Sequence, residues 1–354
     1  MQVSKYIANF LSKQVKHVFL ITGGAVFNLV DAIAREPNLE YICTLHEQAA
    51  AMAADAYSRV SDNIGIAVTT SGPGATNLAT GICCSYYDSI PTMFLTGQVS
   101  SPKLKRNMGV RQFGFQETDV VSLFKPITKY ANIILDSKKV RYEMEKALYL
   151  AKNGRPGPVL LDIPNDIQRL EINPEELEGY EPPKEKIDFY ELEKKVSKSI
   201  DLITESERPI IILGNGIKLG KAQTKAKNLV ERLGFPAALT WATKDMLPYT
   251  HPLVIEGFGV SSERAGNFAV QNSDLVIALG TRLDTHETSE LKTFARGAKK
   301  IVVDIDYTEL KKYEEKGMKI DILANYDAND FLDAINKKIE KIKTKDISSW
   351  LRKI

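Results

Sequence analysis

The sequence predicts an α/β protein of two doubly wound domains, each a mostly parallel sheet with helices on both faces. Three observations predict it. Short apolar runs alternate with helical stretches along most of the chain, the alternation occurs twice, and a polar, acidic, proline-containing segment separates the two runs. Such alternation favours parallel strands joined by right-handed crossover helices, and 354 residues accommodate two domains of ordinary size.

The first run opens with an amphipathic helix. A strand follows over 17–22, then a helix over 25–35 and a strand over 41–45. That strand reads as buried because it is short, apolar and bounded. Ala49, Ala50, Ala51, Ala53, Ala54 and Ala56 favour a helix over 48–59. A strand over 64–70, a helix over 77–87 and a strand over 91–96 continue the pattern. After a less regular stretch come a strand over 127–135, a helix over 138–152 and a strand over 159–163. The first domain is expected to occupy 1–168.

Residues 169–190 are polar, acidic and proline-containing, the composition of a linker. In the second domain, 191–342, strands are expected over 209–213, 236–239, 275–279 and 301–305. A further strand over 320–324 and a closing helix over 328–342 complete it.

A hydrophobic content of 44% and a charged content of 26% describe a globular protein. The net charge of +2 comes from nearly balanced signs and gives no reason to expect a nucleic-acid partner. No apolar run approaches the roughly 20 residues that a membrane span needs, and the N-terminus lacks a signal peptide's long apolar core. The expected setting is cytoplasmic, without a membrane. Cys43, Cys83 and Cys84 fall in elements expected to be core, as reduced thiols, with Cys83–Cys84 a buried helical pair in preference to a redox pair. His17, His46, His251 and His286 have no metal-ligand spacing among themselves or with cysteine.

Two motifs carry chemistry. Glu47 lies between the strand over 41–45 and the alanine-rich helix, at the strand's C-terminal edge, where open α/β sheets place ligands. Its alternative reading is a helix-N-terminal carboxylate stabilised by the helix dipole. About one strand later comes Thr69-Thr70-Ser71-Gly72-Pro73-Gly74-Ala75-Thr76-Asn77, whose glycines permit a tight strand-to-helix turn and close backbone approach. It lacks a P-loop lysine and has no Gly-x-Gly-x-x-Gly spacing.

His46-Glu47-Gln48 together with Thr70 to Asn77 resembles the pyrimidine-binding domain of thiamine diphosphate enzymes, in particular the acetolactate synthase group. Gly97-Gln98-Val99, Phe115-Gln116-Glu117, Asp88-Ser89-Ile90-Pro91 and Gly154 to Val159 extend the resemblance through the first domain. Arg208 to Gly214 and Ser273 to Gly280 extend it through a central domain. The resemblance implies that Glu47 hydrogen-bonds the cofactor's aminopyrimidine and sets its imino tautomer, and that Gln116 faces the active site as a second catalytic residue. It implies cofactor contacts from Thr22, Gly23, Gly24, Thr70, Pro73, Gly74 and Asn77, although Ile21-Thr22 stands where acetolactate synthases carry tyrosine-proline.

The implied activity is that of a carboligase. Pyruvate is decarboxylated and its two-carbon unit passes to a carbonyl acceptor, with a 2-oxo acid and that acceptor as small-molecule partners. A decarboxylase or oxidase on the same scaffold is the alternative, as is a non-catalytic subunit paired with a separate catalytic chain. A homodimer or homotetramer is implied, with the helices over 48–59 and 77–87 as contact surfaces.

Several departures matter. Acetolactate synthases carry an arginine for the second 2-oxo acid's carboxylate after Arg282-Leu283-Asp284. Thr285-His286 stands here, which points to a ketone or aldehyde acceptor. In several relatives the central domain binds FAD, and Gly214-Asn215-Gly216 and Gly280-Thr281-Arg282 lie where a dinucleotide would lie. Glu256-Gly257-Phe258-Gly259-Val260 replaces the family's methionine, glycine and histidine contacts, which argues against FAD. Mg²⁺ is implied through a Gly-Asp-Gly motif of a third domain, and this sequence contains no Gly-Asp-Gly. Residues 343–354 resemble the opening of that domain. The expectation is therefore a truncated product, catalytically silent on its own, with a natural half-enzyme subunit as the alternative.

Overall fold

Six parallel strands form the first sheet: β1 (His17–Leu20), β2 (Glu40–Cys43), β3 (Gly65–Thr69), β4 (Thr92–Gln98), β5 (Tyr130–Ile133) and β6 (Val159–Pro164). Their order is β2-β1-β3-β4-β6-β5. The second sheet contains β7 (Pro209–Leu213), β8 (Ala237–Leu239), β9 (Val254–Ile255), β10 (Leu275–Leu279), β11 (Lys299–Asp304) and β12 (Ile322–Asn325). It is ordered β12-β11-β10-β7-β8-β9, again with parallel neighbours. These sheets belong to two compact units, Met1–Lys184 and Glu185–Ile354, of a computed structural model. The structure describes residues 1–184, 187–255, 257–340 and 342–354. Both sheets with their flanking helices are α/β, as the alternation predicts.

In the first unit β3, β4 and β6 are buried along their whole length, as strands covered on both faces should be. Helix Glu47–Ser61 packs against β3 without a spacer. A Cβ added to Gly65 would meet Ala54 O at 1.8 Å, and one added to Gly81 would meet Ala51 Cβ at 2.3 Å. The alanines over 49–56 therefore do more than favour helix: Ala50, Ala51 and Ala54 let the helix lie close to β3 and to helix Ala79–Asp88.

Two expectations are corrected here. The run over 41–45 is not a buried strand. β2 is the sheet edge, pairs only with β1, and exposes all four of its residues, while Leu45 beyond it is fully exposed. A strand at an edge has a neighbour on one flank only, and its composition alone does not reveal that position. The cysteines are not core residues either. Cys43 is on the exposed edge, Cys84 is exposed on the outer face of its helix and Cys83 is half-buried.

Other differences are local. Instead of one helix over 77–87, a single turn Pro73–Thr76 precedes helix Ala79–Asp88, because Gly72 at φ +58° and Pro73 start helical geometry early. Beyond β6, Gln168 donates from Nε2 to Ala25 O (2.8 Å) and Ile163 O (2.7 Å), and its Oε1 accepts from Leu29 N. Gln2 and Glu171 form an antiparallel bridge, and Leu177 joins the first unit's core. In the second unit the two-residue β9 is too short to leave a pattern, and the helix expected to reach 342 ends at Ile339. Trp350 is buried in that unit's core, its indole N–H donating to Pro209 O at 3.1 Å. No helix among the described residues is long and apolar enough to cross a membrane.

Candidate functional site

The chain leaves β1 toward β2 on one side and reaches β3 on the other, so β1 and β3 flank a topological switch point. Ligands of doubly wound sheets bind at such points, beyond the strands' carboxyl ends. Thr22-Gly23-Gly24 follows β1, Glu47 follows β2 and Thr70 to Asn77 follows β3, so the fold gathers all three segments at one end of the sheet.

Contacts among them are direct. Asn77 Nδ2 donates to Glu47 Oε2 at 2.9 Å. Thr70 Oγ1 accepts from Ala25 N at 3.3 Å. A Cβ on Gly23 would clash with Thr70 at 2.4 Å, and one on Gly74 would lie 2.7 Å from Thr70 Cγ2 and 3.4 Å from Glu47 Oε1. Gly74 thus keeps open the space beside the Glu47 oxygen that Asn77 does not hold. Glu47 is half-buried as the first residue of its helix. His46 caps that helix, its Nδ1 accepting from Gln48 N, a role that sequence reading did not assign.

Thr22, Gly24 and Pro73 are exposed at the same end, and a Cβ on Gly24 would meet nothing within 4 Å. Gln116 is exposed with φ +61°, and its backbone carbonyl lies where a Cβ on Gly72 would come within 2.7 Å. Nearby, Asp162 on β6 is fully buried, and burial pushes its carboxyl up to about 7 against hydrogen bonds from Thr96 and Gln98 that lower it. A carboxylate inside the apolar run Val159-Leu160-Leu161-Asp162-Ile163 was the available signal for it.

The residues around Glu47 fit a planar heterocycle that offers a ring nitrogen. One carboxylate oxygen is fixed by an amide, the other borders space that a side chain on Gly74 would fill, and Gly23 and Gly24 add no side chains.

In the second unit, His286 lies on the short helix Thr285–Thr288, capped by Asp284. Its Nε2 is 3.1 Å from Ser261 Oγ, and its ring packs edge-on against Trp241 with centroids 4.3 Å apart. Burial pushes neighbouring Glu287 up to about 7, although its Oε2 accepts from Thr281 Oγ1 at 2.7 Å. The strand-end glycines are explained by each other: a Cβ on Gly214 would meet Gly280 O at 2.3 Å, and one on Gly216 would meet Gly280 Cα at 2.8 Å. They therefore do not by themselves form a dinucleotide cradle. Glu256 lies outside the described residues.

Comparisons with known proteins agree with this layout. Residues 1–123 match the family described as thiamine pyrophosphate enzyme, N-terminal TPP binding domain. Residues 196–335 match thiamine pyrophosphate enzyme, central domain. The probable acetolactate synthase large subunit of Methanocaldococcus jannaschii is 37% identical over 348 residues, covering 96% of this chain and 56% of that protein. The acetolactate synthase large subunit of Corynebacterium glutamicum is 33% identical, covering 94% of this chain and 52% of its own length. Acetolactate synthase 1, chloroplastic, of Zea mays is 35% identical, covering 95% and 52%. The chain thus spans little more than half the length of these relatives. It belongs to the thiamine pyrophosphate enzyme family and carries that family's N-terminal TPP-binding and central domains.

Proposed function

We propose that this chain provides the pyrimidine-binding half of a thiamine diphosphate site in a carboligase of acetolactate synthase type. The observation that carries the reading is the Glu47 carboxylate at the switch point, with one oxygen held by Asn77 and the other beside the space kept by Gly74. When bound, thiamine diphosphate supplies a carbon nucleophile that adds to the carbonyl of a 2-oxo acid.

The chain's own residues do the rest. Glu47 holds and exchanges a proton at a ring nitrogen, because a half-buried carboxylate fixed on one side presents its other oxygen to the ring. Gly23, Gly24 and Gly74 admit a flat ring against backbone, and Thr70 ties the β1 and β3 turns together through Ala25 N. Gln116, on the turn against Gly72, faces the substrate. His286 takes part in acceptor choice. In this reading Mg²⁺ and the diphosphate are held by a segment whose Gly-Asp-Gly motif this sequence lacks. The reading does not require FAD, because the close packing of Gly214, Gly216 and Gly280 accounts for those glycines without a dinucleotide.

An exposed apolar surface supports the reading. Ala49, Met52, Ala56 and Val60 form one exposed stripe along helix Glu47–Ser61, and Tyr87 is exposed on the neighbouring helix. An apolar stripe at this spacing suits a subunit contact in a homodimer or homotetramer. Sedimentation at micromolar concentration should show a dimer or larger, and a monomer would remove this support. The function itself is tested by pyruvate turnover with thiamine diphosphate and Mg²⁺, by the chain alone and with a protein bearing the diphosphate-binding motif added. No turnover in either case, with no cofactor binding, would overturn it.

A further inference from the structure

Gln116 adopts φ +61°, a left-handed conformation that is strained for a non-glycine residue. Its carbonyl also sits directly against Gly72, leaving no room for a Cβ there. A turn so placed needs the surrounding structure to hold it.

Two buried carboxylates lie on either side of that turn. Glu117 is 8% exposed and gathers three backbone N–H groups. Its Oε1 accepts from Lys105 N at 2.6 Å, and its Oε2 from Phe113 N at 3.0 Å and Gly114 N at 3.2 Å. Gln112 Nε2 donates back to Glu117 O at 2.9 Å. Asp162 is 1% exposed and accepts from Thr96 Oγ1 at 2.7 Å and from Gln98 Nε2 at 2.9 Å. The same Gln98 amide donates to Thr118 O at 2.8 Å, two residues after Gln116. Removing an acceptor that gathers several buried donors strands them at once.

We infer that Glu117 and Asp162 are positioning residues for Gln116: Glu117 fastens the chain before the turn, and Asp162, acting through Gln98, fastens it after. The assignment of a catalytic purpose rests on the carboligase reading above. The fastening itself does not.

The experiment uses Glu117→Gln, which keeps the size but turns an amide N–H toward backbone donors, with Asp162→Asn as the second arm. Amide hydrogen exchange is followed by NMR, and tryptic cleavage at Arg106 and Arg111, both exposed, is followed in parallel. In E117Q, exchange at Phe113 and Gly114 should quicken by roughly tenfold or more, as expected for about 1.4 kcal/mol of lost local stability, while β3 and helix Glu47–Ser61 keep their protection. D162N should loosen Thr118 and Val120 in the same selective way. Unchanged exchange in both variants overturns the inference.

Turnover then separates positioning from mere structure. E117Q should lower kcat by roughly ten- to a hundredfold, as ångström-scale misplacement does, with KM for thiamine diphosphate within about threefold. It should add nothing to Q116A in the double variant. Full kcat in E117Q alongside a strong loss in Q116A overturns the positioning role. Turnover is read with a protein bearing the diphosphate-binding motif added; if the unsubstituted chain then shows neither pyruvate turnover nor cofactor binding, the carboligase reading fails, and amide exchange still decides whether the two carboxyls hold the turn.

Discussion

Asn77 and Glu47 are thirty residues apart in sequence and joined by a 2.9 Å hydrogen bond from the Asn77 amide to Glu47 Oε2. The bond links the turn after β3 to the helix after β2 across the switch point. Asn77→Ala leaves a half-buried carboxylate oxygen without its donor, a loss of about 1–2 kcal/mol. Thermal unfolding of the first unit should fall by several degrees. Asn77→Asp should fall further, since it sets like charges together. Equal midpoints for Asn77→Ala and the unsubstituted chain would mean that the bond contributes nothing in solution.

Glu47→Gln separates shape from proton transfer. Glutamine keeps an acceptor for Asn77, so the fold should be nearly unaffected. It cannot exchange a proton with a bound ring, and hydrogen–deuterium exchange at C2 of thiamine diphosphate, followed by NMR, should slow by roughly 10²–10⁴. An unchanged exchange rate would leave Glu47 as a helix-N-terminal residue only.

The parts of this molecule legible in sequence are those whose determinants are local. Apolar runs and alanine content mark the strands and the helix Glu47–Ser61, and the glycines of 72–74 mark the turn that meets Glu47. What escapes depends on sheet order or on distant partners. A buried strand and an edge strand share a composition until order is known, so the exposure of Tyr41 and Ile42, and with it that of Cys43, could not be read. Cys84 lies on an outer helical face that is apolar, and in sequence such a face reads like an inner one. Glu117 takes its donors from positions 105, 113 and 114 of an irregular stretch without periodicity, so its role appears only in three dimensions.

Asp162 and Glu287 place a titration in each unit. Burial pushes both carboxyls up to about 7, whereas in an unfolded chain they ionise near pH 4. Between those values the folded state binds protons that the unfolded state has released, so stability must fall as pH rises. The contribution is fully present below about pH 4 and is lost as pH rises through about 7, amounting to a few kcal/mol for each carboxyl. Asp162→Asn should flatten the pH dependence of the first unit's unfolding midpoint over that window, and Glu287→Gln that of the second. Unfolding curves as steep in pH as those of the parent would show that neither carboxyl keeps its proton on folding.

We expect His286 to bear on the acceptor. Its Nε2 already meets Ser261 Oγ, and its ring lies edge-on to Trp241, so it offers a candidate substrate carboxylate at most one remaining nitrogen. An arginine would present a planar fork able to take both carboxylate oxygens, worth on the order of 1.5–3 kcal/mol. We therefore expect the enzyme containing this chain to prefer ketone or aldehyde acceptors over a second 2-oxo acid. His286→Arg should raise the relative specificity constant for 2-oxobutyrate by roughly ten- to a hundredfold. Competition assays with pyruvate as donor, and 2-oxobutyrate, an aldehyde and a keto sugar as acceptors, measure that ratio directly. Arg282 lies four residues away, within 3.5 Å of Asp284, and its partnership with that carboxylate limits its ability to replace the missing contact. Efficient acetolactate formation from pyruvate alone by the unsubstituted enzyme would defeat the prediction and give acceptor recognition to a group other than His286.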